Sequence, residues 1–174
     1  YAFKSIKKLD DVGIPFLGIV GNHERKWNSQ WLDLFENLEN VKRLDQEPYI
    51  INNDVAIYGY DSIRNTEWEN MDFNLKEHNQ DLVNLVCMHE LFVELMSPVK
   101  ADKSVKDVIS RLNIKPDLMP LGDYHAAEEV DIDGVSVFYA GATERTSATQ
   151  RDPTYRIINI ENGDVKKNAW EKVS

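Results

Sequence analysis

Three short apolar runs, at 14–20, 82–88 and 117–121, each lead into a loop that carries a histidine: His23, His89 and His125. Runs this short, bounded by glycine, proline or charge, have the length of strands rather than helices, and their continuous apolar character marks them as buried. In α/β folds the loops that follow the carboxyl ends of such strands hold the chemistry. The chain is thereby constrained to a layered α/β architecture with its candidate site at the strand ends.

The intervening segments fit that frame. Phe3, Ile6 and Leu9 fall on one side of a helix over 2–12, which Gly13 and Pro15 stop. Ser29 reads as the N-cap of a second helix through Trp31, Leu34, Phe35 and Leu38. Short strands are expected at 41–44, 49–51 and 55–60, with Asn52-Asn53-Asp54 turning between the last two. The segment 67–77 reads as a polar helix or helical turn with His78 as a solvated helix residue beside it, and a further helix opened by Asp102 or Ser104 runs to Leu112. Asp133-Gly134 and Asn162-Gly163 are hairpin turns, joining 128–132 to 135–139 and 155–160 to 165–170. Helices alternating with buried strands, followed by hairpins, give one domain with a mixed sheet or two packed sheets.

At 174 residues the chain can bury a substantial core. No apolar run approaches the roughly 18 residues of a membrane span, so no membrane is expected as a partner. The start, Tyr1-Ala2-Phe3-Lys4, resembles neither a signal peptide nor an initiator methionine. Cys87, the single cysteine, lies within an apolar run; it forms no intrachain disulfide, reads as a small buried residue, and suits a reducing, cytoplasmic setting. The net charge of −10, from 30 acidic and 20 basic residues, argues against a broad non-specific nucleic-acid surface. It leaves room for a nucleic-acid enzyme whose metal ions supply positive charge locally.

Gly21-Asn22-His23-Glu24 places an amide, an imidazole and a carboxylate in one loop, and each strand-end histidine is joined by another ligand type: Asn22, Glu90 or Asp123. Thiolate-free, oxygen-rich ligation of this kind suits manganese, iron or zinc and leans toward manganese.

The order Gly21-Asn22-His23-Glu24, then His89, then Gly122-Asp123-Tyr124-His125 resembles the third, fourth and fifth motifs of the calcineurin-like metallophosphoesterases. Phe138-Tyr139-Ala140-Gly141-Ala142-Thr143-Glu144-Arg145 is similar to a segment of their SbcD-type DNA repair exonuclease branch; read without the family, it is a turn with an exposed ion pair. The resemblance implies a sandwich of two mixed β-sheets flanked by helices. It also implies a site with two divalent ions, most readily Mn2+, with Mg2+, Fe2+ or Zn2+ as the other options. Carried over by position, Asn22 and His89 bind the second metal and His125 the first. His23 is catalytic, assisting the leaving oxygen, and Glu24 orients it. The branch also implies a DNA substrate, a homodimer and a coiled-coil SbcC-type ATPase partner.

Two departures limit the match. The fifth motif usually carries a histidine where this chain has Asp123, a carboxylate able to hold a metal and favouring a harder ion. Nothing before Gly21 supplies the family's first two motifs, since Asp10 and Asp11 lie on the opening helix. The expectation is therefore that a strand-helix-strand segment precedes this portion of the domain, and that the 174 residues alone are weakly active or inactive. A phosphodiesterase or phosphatase acting on nucleotides or small phosphoesters, and a binding scaffold with decayed catalysis, stay open as alternatives.

Overall fold

The computed structural model describes residues 2–24, 30–96, 100–145 and 152–173. Its elements are α1 (Ala2–Asp10), β1 (Phe16–Gly18), α2 (Trp31–Phe35), β2 (Val41–Arg43), β3 (Tyr49–Ile51), β4 (Val55–Tyr60), α3 (Asn65–Trp68), β5 (Val83–His89), α4 (Val105–Arg111), β6 (Leu118–Gly122), β7 (Ala127–Ile132), β8 (Val135–Ala140), β9 (Thr154–Glu161) and β10 (Asp164–Lys172).

Six strands form one mixed sheet in the order β3-β4-β5-β6-β8-β7. Its four central strands, β4, β5, β6 and β8, run parallel, and antiparallel β3 and β7 close the two edges. Continuous apolar sequence produces this arrangement: side chains alternate across the sheet, so a strand buried on both faces needs apolar residues at every position. On one face Ala56, Tyr58, Val86, Met88, Met119, Leu121, Val137 and Tyr139 pack with Val105 and Val108 of α4 and with Trp68, Phe73 and Phe92. On the other, Val55, Val83, Leu85, Leu118 and Phe138 pack against Ile158, Ile160 and Trp170 of the β9–β10 hairpin.

The expected second sheet is found as two strand pairs, parallel β1–β2 and antiparallel β9–β10. The β1–β2 pair lies close on β4: a Cβ at Gly59 would stand 2.5 Å from both Ile19 Cγ2 and Leu44 Cβ. Each hairpin turn has left-handed φ at both central residues, 54° and 83° at Asp133-Gly134 and 53° and 75° at Asn162-Gly163.

The segment 67–77 departs from expectation. Helix α3 covers only Asn65–Trp68, and the chain beyond it is an irregular stretch that buries Phe73 and Leu75. A helical reading failed because the apolar residues 68, 71, 73 and 75 do not keep a 3.6-residue period, and tertiary packing overrode local preference. His78 is accordingly exposed, but in a loop. The second helix begins at Trp31 with Gln30 as its N-cap; Ser29 falls outside the described residues. Cys87 lies on β5 and is partly exposed as a residue; burial pushes its thiol up to about 12. Among the described residues, no helix is long and apolar enough to cross a membrane.

Candidate metal centre

Because β4, β5 and β6 are parallel and in register, with Tyr60 opposite Met88 and His89 opposite Gly122, their carboxyl ends finish at one level. The loops leaving them carry Asp61, Glu90 and Asp123. The Gly21–Glu24 turn joins this edge from the β1 side. The N–H of Val20 donates to Asp61 Oδ1 at 2.7 Å, and the N–H of Ser62 donates to the Val20 carbonyl at 2.8 Å. Asp61 is itself held by the Arg43 guanidinium, which also donates to Asp33 at 2.7 Å. The hydrogen bond to Asp61 raises the Arg43 pKa further above its ordinary value, keeping this brace charged.

Three expected metal ligands converge at Asp123. The Asn22 amide lies 3.4 Å from Asp123 Oδ1, and His89 Nε2 lies 3.7 Å from the same oxygen. The His89 ring is confined between two glycines. A Cβ at Gly21 would stand 3.0 Å from its Nε2, and one at Gly122 would stand 2.6 Å from its Nδ1. Asp123 adopts φ 87°, an uncommon conformation for a residue with a side chain, and the kind of local strain that aims a functional group. Amide, imidazole and carboxylate around one point form a donor set suited to a divalent ion, and the residues present fit that role.

His23, expected to be catalytic, is exposed in the turn after Gly21, whose carbonyl accepts the Glu24 N–H at 3.3 Å. The Glu24 carboxylate lies over Gly21, 2.5 Å from where a Cβ would be, on the glycine that also borders His89. His125 is exposed, and its carbonyl accepts the N–H of Ala142 at 3.2 Å. Among the described residues, no three His, Cys, Asp or Glu side chains stand together as a metal cage. The convergence at Asp123 has two such groups, with the Asn22 amide as the third donor.

Glu90, grouped by sequence with the ligands, points elsewhere. It is 5% exposed and pairs with Lys103, 7% exposed, while accepting the N–H of Ile63. Lys103 Nζ in turn donates to the Ile63 carbonyl at 3.2 Å and lies 4.6 Å from the centre of the Trp68 ring. Sequence reasoning missed this clasp, as it missed Asp61. Only the strand-end position of Asp61, directly after the apolar run Val55–Tyr60, could have signalled it. In the Phe138–Arg145 segment, Gly141 takes φ 85° and Arg145 forms an exposed ion pair with Asp152.

No family model matches the chain. The DNA double-strand break repair protein Mre11 of Haloferax volcanii is 40% identical over 157 residues, which cover 90% of this chain and 34% of that protein. The protein of the same name from Methanosarcina mazei is 38% identical over 160 residues, covering 89% of this chain and 25% of that protein. The chain thus spans between a quarter and about a third of the length of these curated relatives. One crystal structure superposes with a TM-score of 0.61 at 12% identity, over 99% of this chain and 71% of the other. A second, of TT1561 from Thermus thermophilus, gives 0.58 at 10% identity, over 99% and 78%. At such identities the structural likeness speaks to the fold alone. The match over nine-tenths of the sequence carries the conclusion: the chain is a homologue of one portion of the Mre11 DNA double-strand break repair proteins.

Proposed function

We propose that this chain is part of a divalent-metal-dependent phosphodiesterase that cleaves DNA during repair. One observation carries the reading: Asn22, His89 and Asp123 arrive from three separate segments at the sheet's edge around one carboxylate oxygen, in a chain 40% identical over 157 residues to a DNA double-strand break repair protein. Asn22, His89 and Asp123 would hold one ion, and His125 would contribute to a second. Manganese fits this thiolate-free set well. Bound there, divalent ions supply Lewis acidity toward phosphate oxygens and a water more readily deprotonated than in bulk.

The chain's own groups do the rest. The two flanking glycines and Asp123 fix the His89 ring, so its ligating nitrogen is positioned before metal or substrate arrives. Asp61 and Arg43 anchor the strand that delivers Asn22 and His23, keeping the turn in register with the sheet edge. His23, exposed in that turn, donates a proton to the departing sugar oxygen. Glu24 orients the turn behind it. Of the first ion's ligands this chain supplies His125, and the chain spans between a quarter and about a third of the length of its curated relatives. A homodimer and a coiled-coil ATPase partner in the cytoplasm complete the reading; these rest on the resemblance to the SbcD-type branch.

The test uses the natural full-length protein with Mn2+ and two substrates, bis-p-nitrophenyl phosphate and labelled DNA. Both are hydrolysed, and His23→Ala lowers turnover about 100-fold or more while metal content is unchanged. Absence of turnover with every divalent ion, or loss of metal in His23→Ala, overturns the assignment.

A further inference from the structure

Tyr139, near the end of β8, has no task in the chemistry assigned to the metal centre. In the register of the parallel strands it stands opposite Leu121 of β6, one residue before Gly122, and Gly122 stands opposite His89. The side chain is completely buried, yet it does more than fill the core. Its phenol reaches past β6 to the chain that leaves β5. There the O–H donates to the Glu90 carbonyl at 2.8 Å and the oxygen accepts the N–H of Phe92 at 3.1 Å. A buried phenol thus meets both its donor and its acceptor needs on one loop, the loop that begins directly after His89.

The ring of the same residue meets a second loop. It packs edge to face with Tyr124, the ring centres 5.5 Å apart and the planes at 76°. Such pairs are directional as well as attractive. Tyr124 lies between Asp123 and His125, in the turn where Asp123 takes φ 87°. One side chain therefore holds both the loop after His89 and the loop that carries Asp123 and His125. The anchor is itself braced, since the Trp170 indole donates to its carbonyl at 3.2 Å. Precision of this kind matters for a metal centre, because ligand distances are tolerated only within about 0.2 Å. A slip of one loop past the other would separate His89 Nε2 from Asp123 Oδ1, now 3.7 Å apart.

We propose that Tyr139 is a positioning residue of the metal centre: its phenol oxygen fixes the loop after His89 and its ring fixes the Asp123–His125 loop, so that the two loops present their donors in one register. It acts through the Glu90 and Phe92 backbone and the Tyr124 ring rather than as a ligand. The proposal rests on the reading of Asn22, His89 and Asp123 as metal ligands, and it adds the residue that sets their spacing.

The experiment compares the natural full-length protein with Tyr139→Phe, which removes only the phenol oxygen, and with Tyr124→Leu, which removes the ring contact from a partly exposed position. Tyr60→Phe is the matched control. Tyr60 is 2% exposed and its hydroxyl also donates to a backbone carbonyl, that of Phe73 at 2.8 Å, in a segment with no expected ligand. In EDTA, amide hydrogen exchange is expected to quicken about tenfold at 90–92 in Tyr139→Phe, at 122–125 in Tyr124→Leu, and at neither in Tyr60→Phe. Mn2+ affinity, read by calorimetry, falls about tenfold or more in both test variants and stays within about twofold in the control. At saturating Mn2+ the Tyr139→Phe protein regains kcat on bis-p-nitrophenyl phosphate, because no reacting group has been lost. A loss of Mn2+ affinity no larger than that of Tyr60→Phe, or unchanged exchange at 90–92 in Tyr139→Phe, overturns the assignment. If the unaltered protein binds no divalent ion, the metal reading fails, while the exchange series in EDTA still decides whether Tyr139 holds the two loops.

Discussion

At the scale of single residues, the site is defined by what is absent as much as by what is present. Gly122 has no side chain because His89 Nδ1 occupies the space where a Cβ would stand, only 2.6 Å away. Gly122→Ala should leave the far-ultraviolet dichroism intact and weaken Mn2+ binding in the full-length protein about 10–100-fold, read by calorimetry, because a group that orients a ligand typically carries that much affinity. Sequence made His89, Asn22 and Asp123 visible, since their types and strand-end positions could be read directly. It misplaced Glu90, which has the same type and position as a ligand. A carboxylate followed by a loop looks the same whether it turns toward solvent, a metal or a buried lysine 13 residues away. Only the packed structure brings Lys103 to it.

At the scale of elements, the seven-residue helix α4 is too short to persist by propensity and is held from outside. Its N-cap, Ser104, donates to Glu94 at 2.5 Å, and Glu94 also accepts the N–H groups of Val105 and Lys106 at 3.0 and 3.2 Å. Burial works against ionisation of Glu94, but these hydrogen bonds outweigh it and hold the carboxyl below its ordinary value of 4.5. A lowered folded-state pKa means this stabilisation is complete above about pH 4.5 and fades as pH falls through the folded value. Glu94→Gln should therefore cost about 1 kcal/mol at neutral pH, the usual worth of a helix cap, and flatten the acid limb of a Tm-against-pH profile. The Glu90–Lys103 pair ties the ends of β4 and β5 to the residue preceding that cap. Lys103→Met strands a buried carboxylate and is expected to cost about 3–5 kcal/mol in urea unfolding, whereas the double change Glu90→Leu/Lys103→Met recovers most of it. Sequence anticipated the helix and offered Ser104 as one of two openings. It did not show Glu94, whose reach across the turn depends on the path of the intervening chain.

At the scale of the whole molecule, two cores lie on opposite faces of the six-stranded sheet, and the β9–β10 hairpin covers the smaller one. Arg156 is inserted there between the rings of Phe138 and Trp170, its guanidinium carbon 4.0 and 4.1 Å from their centres, while Trp170 donates to the Tyr139 carbonyl at 3.2 Å. Phe138→Ala removes both the ring under Arg156 and a core side chain that is 1% exposed, and should destabilise the protein by about 3–5 kcal/mol in denaturant unfolding. The sequence by itself determined the strand-forming runs, the hairpin turns and the ordered set of ligand types. Those properties are local: side-chain alternation, turn stereochemistry and donor chemistry act over a few residues. The tertiary structure alone decided which strands are neighbours, that Asn22 and Asp123 meet across 101 positions, and that Glu90 is paired inward. Those outcomes depend on register and on the free energy of burying charge, which are set only when distant segments pack.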